Sequence, residues 1–200
     1  MTAANLGIVG VGNCASSLVQ GLAFHGVDDV RVVSAFDVAP GKVGRDLAEA
    51  ILAPPNNALR FADVGALGVT VRDDSGVADA LRESGTDVVV SLLPTGAQQE
   101  TKAAGMAAEG PAVPAHVATS YIPHLADRKT AYIRVDALGF GATPIEIDVR
   151  MSLEDSPSAA PVVLAAVRAA KAALAAGRGG VLDDASARLM KAPPRGGREQ

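Results

Sequence analysis

Three short stretches of the sequence hold residue types whose spacing could do chemistry. The first is Gly10-Val11-Gly12-Asn13-Cys14-Ala15, which follows the apolar run Asn5 to Gly10 and leads into residues at helical spacing. In a strand-to-helix turn of this form Gly10 permits the tight bend, and Gly12 lets the backbone approach a ligand closely. Ala15, the smallest replacement for a third glycine, still lets the helix pack against the strand. Backbone amides and a partial positive charge at the helix start, around Asn13 and Cys14, favour a pyrophosphate. The second stretch ends at Asp37, about 20 residues further on, where a carboxylate can accept hydrogen bonds from an adenosine ribose. A carboxylate there repels a 2′-phosphate, so NAD is expected rather than NADP. Lys42 and Arg45 are nearby cations that could soften this preference. The third is the loop Ser91, Leu92, Pro94, Thr95 and Gly96, at the carboxyl end of an apolar strand, where parallel sheets collect ligands.

The elements that must position these residues alternate. Strand-like runs at Asn5–Gly10, Val30–Val38, Val69–Arg72 and Asp87–Pro94 are separated by helical patterns at Asn13–Gly26, Ala39–Leu52 and Gly76–Ser84; another follows from Thr95 to Gly110. That alternation predicts βαβ units and a parallel sheet. After Pro111 the pattern changes. Ala131–Phe140 and Pro144–Glu154 alternate apolar and polar residues around a glycine-containing turn, which predicts an antiparallel hairpin. Ser156 as N-cap, Pro157 at the first helical position and Gly177 at the stop then frame a helix with Val163, Val167, Ala170 and Leu174 on one stripe. The expected fold is α/β, a Rossmann-like doubly wound parallel sheet with an appended C-terminal β-hairpin and helix. Its expected divisions are a dinucleotide-binding domain over 1–117, a hairpin remnant over 118–155, a helix over 156–191 packing back on the sheet, and a disordered tail over 192–200.

Bulk properties narrow the partners. The chain has 200 residues, is 48% hydrophobic but only 3% aromatic, and lacks tryptophan, so Ala, Val, Leu and Ile must build the core. A net charge of -4 argues against nucleic acid and against a polybasic membrane anchor. A single cysteine, no basic-then-apolar opening and no uninterrupted apolar run of about 18 residues lead to the expectation of a cytoplasmic protein. His25, His116 and His124 lack metal-ligand spacing, so no metal site is expected.

Long blocks of this sequence resemble the inositol-1-phosphate synthase family, in particular its prokaryotic branch. They are "GVGNCASSLVQG", "AFDVAPGKVGRDLAEAI", "PPNNALRFADV", "DVVVSLLPTGAQQET", "YIPHLADRKTAYIRVDALGFGATPIEIDVRMSLEDSPSAAPVVLAAVRAAKAA" and "ASARLMKAPP". The resemblance implies an isomerase of inositol and phospholipid biosynthesis that converts glucose 6-phosphate to inositol 1-phosphate. In that chemistry NAD removes a hydride, an enolate closes the ring by an aldol step, and the hydride returns. Between about Val117 and Tyr121 this sequence departs from the family, whose large central segment carries lysines, much of the active-site cavity and the subunit interface.

Of the five lysines, the resemblance implies that Lys129 and Lys191 stand near the sugar phosphate, and that Asp155 is a carboxylate near the active site. It also implies that Asn56 and Asn57 lie beside the nucleotide and that Cys14 touches the cofactor. Read as residues alone, Lys129 belongs to a solvated Asp127-Arg128-Lys129 cluster, Asp155 is a helix-start carboxylate, and the asparagines end a helix. Two functions follow. One is an NAD-using isomerase acting on glucose 6-phosphate or a related sugar or cyclitol phosphate. The alternative is a catalytically impaired NAD-binding pseudoenzyme or partner subunit. Either is expected to form a homo-oligomer, because the hairpin presents unpaired edges; a complete synthase subunit is a further candidate partner.

Overall fold

The structure, a computed structural model, describes residues 2–93, 120 and 122–190. Strand β1 (Ala4–Val9) leads through the glycine turn into helix α1 (Asn13–Phe24), followed by β2 (Val30–Phe36) and a short helix α2 (Leu47–Ala50). Next come β3 (Val71–Arg72), α3 (Val77–Glu83) and β4 (Val88–Ser91). These four strands form a parallel sheet in the order β3-β2-β1-β4. The backbone works outward from β1 through β2 to β3, then crosses to the other side of β1 for β4. The carboxyl ends of β1 and β4 therefore flank a topological switch point, where ligands bind in open α/β sheets.

Burial explains why β1 reads as a continuous apolar run. Leu6 and Ile8 are fully enclosed and share one cluster with Val11, Ala15, Leu18, Val19, Val30, Ala35 and Val71. On the opposite side of β1 a Cβ at Gly7 would meet Leu81 of α3, so helices cover both faces. A central parallel strand with both faces covered has no need of polar alternation.

Between Ala39 and Leu52 the expected helix is largely replaced by turns, with only Leu47–Ala50 helical. Gly44 adopts φ +84°. Its N–H donates to Val71 C=O at 2.8 Å, Val71 N–H donates to Arg45 C=O at 2.9 Å, and Leu47 N–H donates to Val69 C=O at 2.8 Å. Backbone pairing with β3 outweighs the helical spacing of the side chains. Asp46 then caps the short helix, Oδ1 accepting from Ala48 N at 2.8 Å and Oδ2 from Gly68 N at 2.7 Å. Burial pushes the Asp46 carboxyl up, but the N–H groups of Ala48, Leu67, Gly68 and Val69 together hold it below its ordinary value.

Among the described residues a second sheet contains β5 (Arg128–Leu138) and β6 (Pro144–Glu154), antiparallel and in register from Arg128↔Glu154 to Leu138↔Pro144. Eleven residues extend about 35 Å, so this is a long arm. One face carries Ala131, Ile133, Val135 and Ala137 opposite Met151, Val149, Ile147 and Ile145. On the other, Arg134 bridges to Asp136, Glu146 and Asp148 at 2.7–2.8 Å.

Helix α4 (Asp155–Ala175) returns from the arm to lie beside α1 and touches β1 and β4, with Val167 enclosed in the main core. It begins one residue before the expected cap: Ser156 lies inside the first turn, and Glu154 occupies the cap position without a side-chain hydrogen bond. The expected stripe shifts as well. Val163, Leu164 and Val167 face the core while Leu174 is exposed. By length and composition α4 is apolar enough to cross a membrane, but as the sequence led us to expect its apolar run is not uninterrupted: Arg168 and Lys171 break it. Both cations pair with the α/β half: Arg168 grips Asp29 through two hydrogen bonds of 2.7 Å, and Lys171 reaches Asp87 at 2.7 Å. The last helix among the described residues, α5 (Asp183–Leu189), follows a turn at Gly177–Gly180.

Candidate functional site

The glycine turn stands at the switch point. Gly10 has φ +94°, a left-handed conformation open to glycine, and a Cβ there would come within 3.1–3.2 Å of the Leu92–Leu93 backbone. The ends of β1 and β4 thus meet through this residue, with Leu92 N–H donating to Val9 C=O at 2.8 Å. Gly12 differs. A Cβ there would meet nothing within 4 Å, so the space beside this backbone belongs to none of the other described residues.

The first hydrogen bond inside α1 runs from Ser16 N–H to Gly12 C=O at 2.9 Å. That geometry leaves the amides of Asn13, Cys14 and Ala15 without an acceptor inside the helix, and no acidic side chain occupies the first turn to neutralise them. The amides, the helix dipole and the open space at Gly12 together fit an anion with the demands of a pyrophosphate.

Asp37 stands at the end of β2, with one carboxylate oxygen accepting from Val11 N at 2.7 Å and the other from Ala39 N at 2.8 Å. It ties the turn to β2, and each oxygen keeps a further lone pair for a ribose hydroxyl. Lys42 points inward rather than toward that ribose position. Its side chain is enclosed, and its ammonium donates to the carbonyls of Val11 and Pro55. Burial holds this ammonium below the ordinary lysine range, with Asp37 opposing that shift. A lysine committed to two carbonyls is poorly placed to bind a 2′-phosphate. Sequence distance alone could not reveal that commitment.

The paired asparagines divide their work. Asn56 bonds to Ile51 C=O and accepts from Ala58 N at 2.8 Å, which closes its own loop. Asn57 reaches the turn: its side chain accepts from the Asn13 amide, and its N–H donates to Asn13 Oδ1 at 3.1 Å.

At the base of the arm Lys129 pairs with Asp155 at 3.0 Å, both about half exposed. The next residue, Ser156, is buried with its Oγ 3.8 Å from Cys14 Sγ. The fold thereby brings Lys129 and Asp155 to the neighbourhood of the turn, although 114 residues separate Cys14 from the arm's first residue in sequence. Asp127 lies within the same junction. It is 9% exposed and bonded to Ser156, not part of a solvated cluster. Sequence reasoning passed over it because an Asp-Arg-Lys run looks like a surface. Ser91 and Leu92 lie beside the turn, whereas Pro94, Thr95, Gly96 and Lys191 fall outside the described residues.

Comparison with known proteins bears on this arrangement. Residues 75–156 match the family described as myo-inositol-1-phosphate synthase. An inositol-3-phosphate synthase of Mycobacterium tuberculosis strain H37Rv is 28% identical over 337 aligned positions, spanning 96% of this chain and 92% of the relative. One of Mycolicibacterium smegmatis is 28% identical over 335 positions, spanning 94% and 92%. Over residues 75–156 and along most of its length, this chain is similar to the myo-inositol-1-phosphate synthase family. Both alignments run over more positions than the 200 residues of this chain, so they bridge positions that these relatives have and it lacks. Among solved structures, that of Ari2 superposes with a TM-score of 0.73 at 24% identity, covering 96% of this chain and 92% of the other. A myo-inositol-1-phosphate synthase-related protein from Thermotoga maritima gives 0.65 at 14% identity, covering 87% and 88%. Both likenesses are of overall fold.

Proposed function

We propose that this protein binds NAD at the Gly10–Ala15 turn and uses it on a sugar or cyclitol phosphate, with glucose 6-phosphate the first candidate. The observation that carries this reading is the turn itself: amides of Asn13, Cys14 and Ala15 with no acceptor inside the helix, around a Gly12 whose side is open among the described residues, with Asp37 hydrogen-bonded to Val11 beside them. Gly10, Gly12, Asn13, Cys14 and Ala15 would hold the pyrophosphate, Asp37 the adenosine ribose, and Asn57, Ser91 and Leu92 the neighbouring walls. When bound, NAD supplies a reversible hydride acceptor, and the likeness to inositol-phosphate synthases supports its use here. Asp37 and the inward Lys42 both favour NAD over NADP.

Lys129 is the described cation best placed to face the substrate. Its ammonium donates to Asp155, and a substrate phosphate or developing oxyanion would take over as acceptor, leaving Asp155 to orient the lysine from the side. In this division of labour the parallel sheet and its helices hold the nucleotide, the β5–β6 arm delivers Lys129, and α4 fixes the arm to the sheet.

The arm's apolar face supports self-association. Ile133, Val135, Ile145, Ile147, Val149 and Met151 are each 38–50% exposed on it. Covering those six removes about 500 Å² per copy, about 1,000 Å² in a pair, which reaches the lower bound for a specific interface. A two-stranded sheet is marginal alone in water, so a second copy stacked face to face would stabilise it.

Calorimetry with NAD, followed by incubation with NAD and glucose 6-phosphate and an assay for inositol phosphate, tests the whole reading. Binding with product formation is expected. Binding without product assigns the protein to the nucleotide-holding partner-subunit alternative, and the absence of binding removes both.

A further inference from the structure

Asp127 has more hydrogen bonds than a solvated aspartate needs. Its backbone carbonyl accepts from Asp155 N at 2.9 Å, which closes the base of the arm where β5 begins and β6 ends. Oδ2 accepts from Ser156 N at 3.1 Å, and Oδ1 accepts from Ser156 Oγ at 2.8 Å. These bonds satisfy a free amide at the start of α4 and place a negative charge at the positive end of a 21-residue helix. Helix capping uses only part of this carboxylate. Oδ1 also lies 3.4 Å from Asn13 Nδ2, on the first residue of α1, and that same amide bonds to Asn57.

The starts of two helices, the base of the arm and the loop at Asn57 therefore converge on one buried carboxylate. Cys14 and Ser156, at 3.8 Å, make a second link across the same seam. Asn13 provides one of the amides expected to face the pyrophosphate, so an anion that orders the turn also orders the side chain touching Asp127. Lys129 is two residues beyond Asp127, and Asp155 is bonded to Asp127 directly.

We propose that Asp127 is a positioning residue: it couples the phosphate turn, through Asn13, to the start of α4 and the base of the arm, and so fixes where Lys129 and Asp155 stand once a dinucleotide is bound. The inference rests on the nucleotide reading of the turn. It makes occupancy of one site felt at the other, with no contact needed between the nucleotide and the arm.

Amide hydrogen exchange on the full-length protein, with and without saturating NAD, separates the two ideas. In the unsubstituted protein NAD should slow exchange over residues 10–16 and, by about fivefold or more, over 127–130 and 153–158. In Asp127→Ala the slowing at 10–16 should persist while that at the arm base disappears; Asp127→Asn, which keeps one acceptor oxygen, should lie between. Ser156→Ala, a milder change for use if Asp127→Ala does not fold, should reduce the arm-base response without removing it. Pure helix capping would lower the melting temperature of these variants and leave the NAD-dependent difference at the arm base intact, which would overturn the inference. No NAD-dependent slowing at 10–16 in the unsubstituted protein would overturn the nucleotide reading, and the coupling with it. Slowing at 10–16 alone would overturn only the coupling.

Discussion

Ile8 and Ile147 are both mid-strand isoleucines, yet Ile8 is 0% exposed and Ile147 is 48% exposed. Ile8 lies in the central strand of a parallel sheet with helices on both faces. Ile147 lies in a two-stranded sheet whose apolar face is left substantially open to solvent. Alternation in β5 and β6 specifies a face to be covered, but it does not say by what. The α/β half completes its own core, whereas the arm's register is satisfied only along its backbone and its polar side.

The sharpest contrast comes from matched truncations. Ile8→Ala should cost about 2–5 kcal/mol, because it leaves a cavity in a core with no room to collapse. Ile147→Ala should change unfolding of the dilute monomer by about 0.5 kcal/mol or less, since that side chain is half in water. Urea titrations of both variants measure the difference. Equal losses would mean that the arm is buried in the protein as it exists in solution.

Charge placed on the arm is the next test. Ile133→Lys with Ile147→Lys should leave the α/β half folded and abolish association, read as a fall in mass by sedimentation at micromolar concentration. An unchanged mass would place the interface elsewhere.

These contrasts also show what could be read in the sequence. β1, α1, β2, β4, both arm strands and α4 were legible, because their periods reflect faces that pack or alternate locally. Ala39–Leu52 was not: its side chains repeat as a helix, but backbone bonding of Gly44, Arg45 and Leu47 to Val69 and Val71 decided the outcome. At the site, the turn and Asp37 carry recognisable spacing, whereas the inward direction of Lys42 depends on carbonyls 31 and 13 residues away. Asp127 was hidden for the same reason, since Ser156 and Asn13 are distant in sequence.

Acid should destabilise the α/β half. Asp87 is held below its ordinary value first by Lys171 and then by the Asn5 N–H, and Asp46 by its backbone donors against the opposing effect of burial. Groups lowered in this way contribute stability that is complete above their unfolded value of 3.8 and is lost as pH falls through the lower folded value. Melting temperature should therefore be flat between neutrality and about pH 5 and decline below 4. Asp87→Asn should flatten the decline, and an unchanged acid limb would contradict the assignment.

Arg134→Ala should give the smallest effect. Its three carboxylate partners are solvent-facing, so only hydrogen exchange along β5 and β6 should quicken while global unfolding stays the same.

Gly12 tests the central claim most directly, because a Cβ there meets none of the other described residues within 4 Å but would occupy the position assigned to the pyrophosphate. Titration calorimetry of NAD into Gly12→Val, beside a thermal melt, is the measurement. The expected result is a melting temperature within about 2 °C of the unsubstituted protein, as for a substitution without new contacts, and no heat of NAD binding. A Gly12→Val protein that binds NAD as tightly as the unsubstituted one would contradict the assignment of the turn to a pyrophosphate.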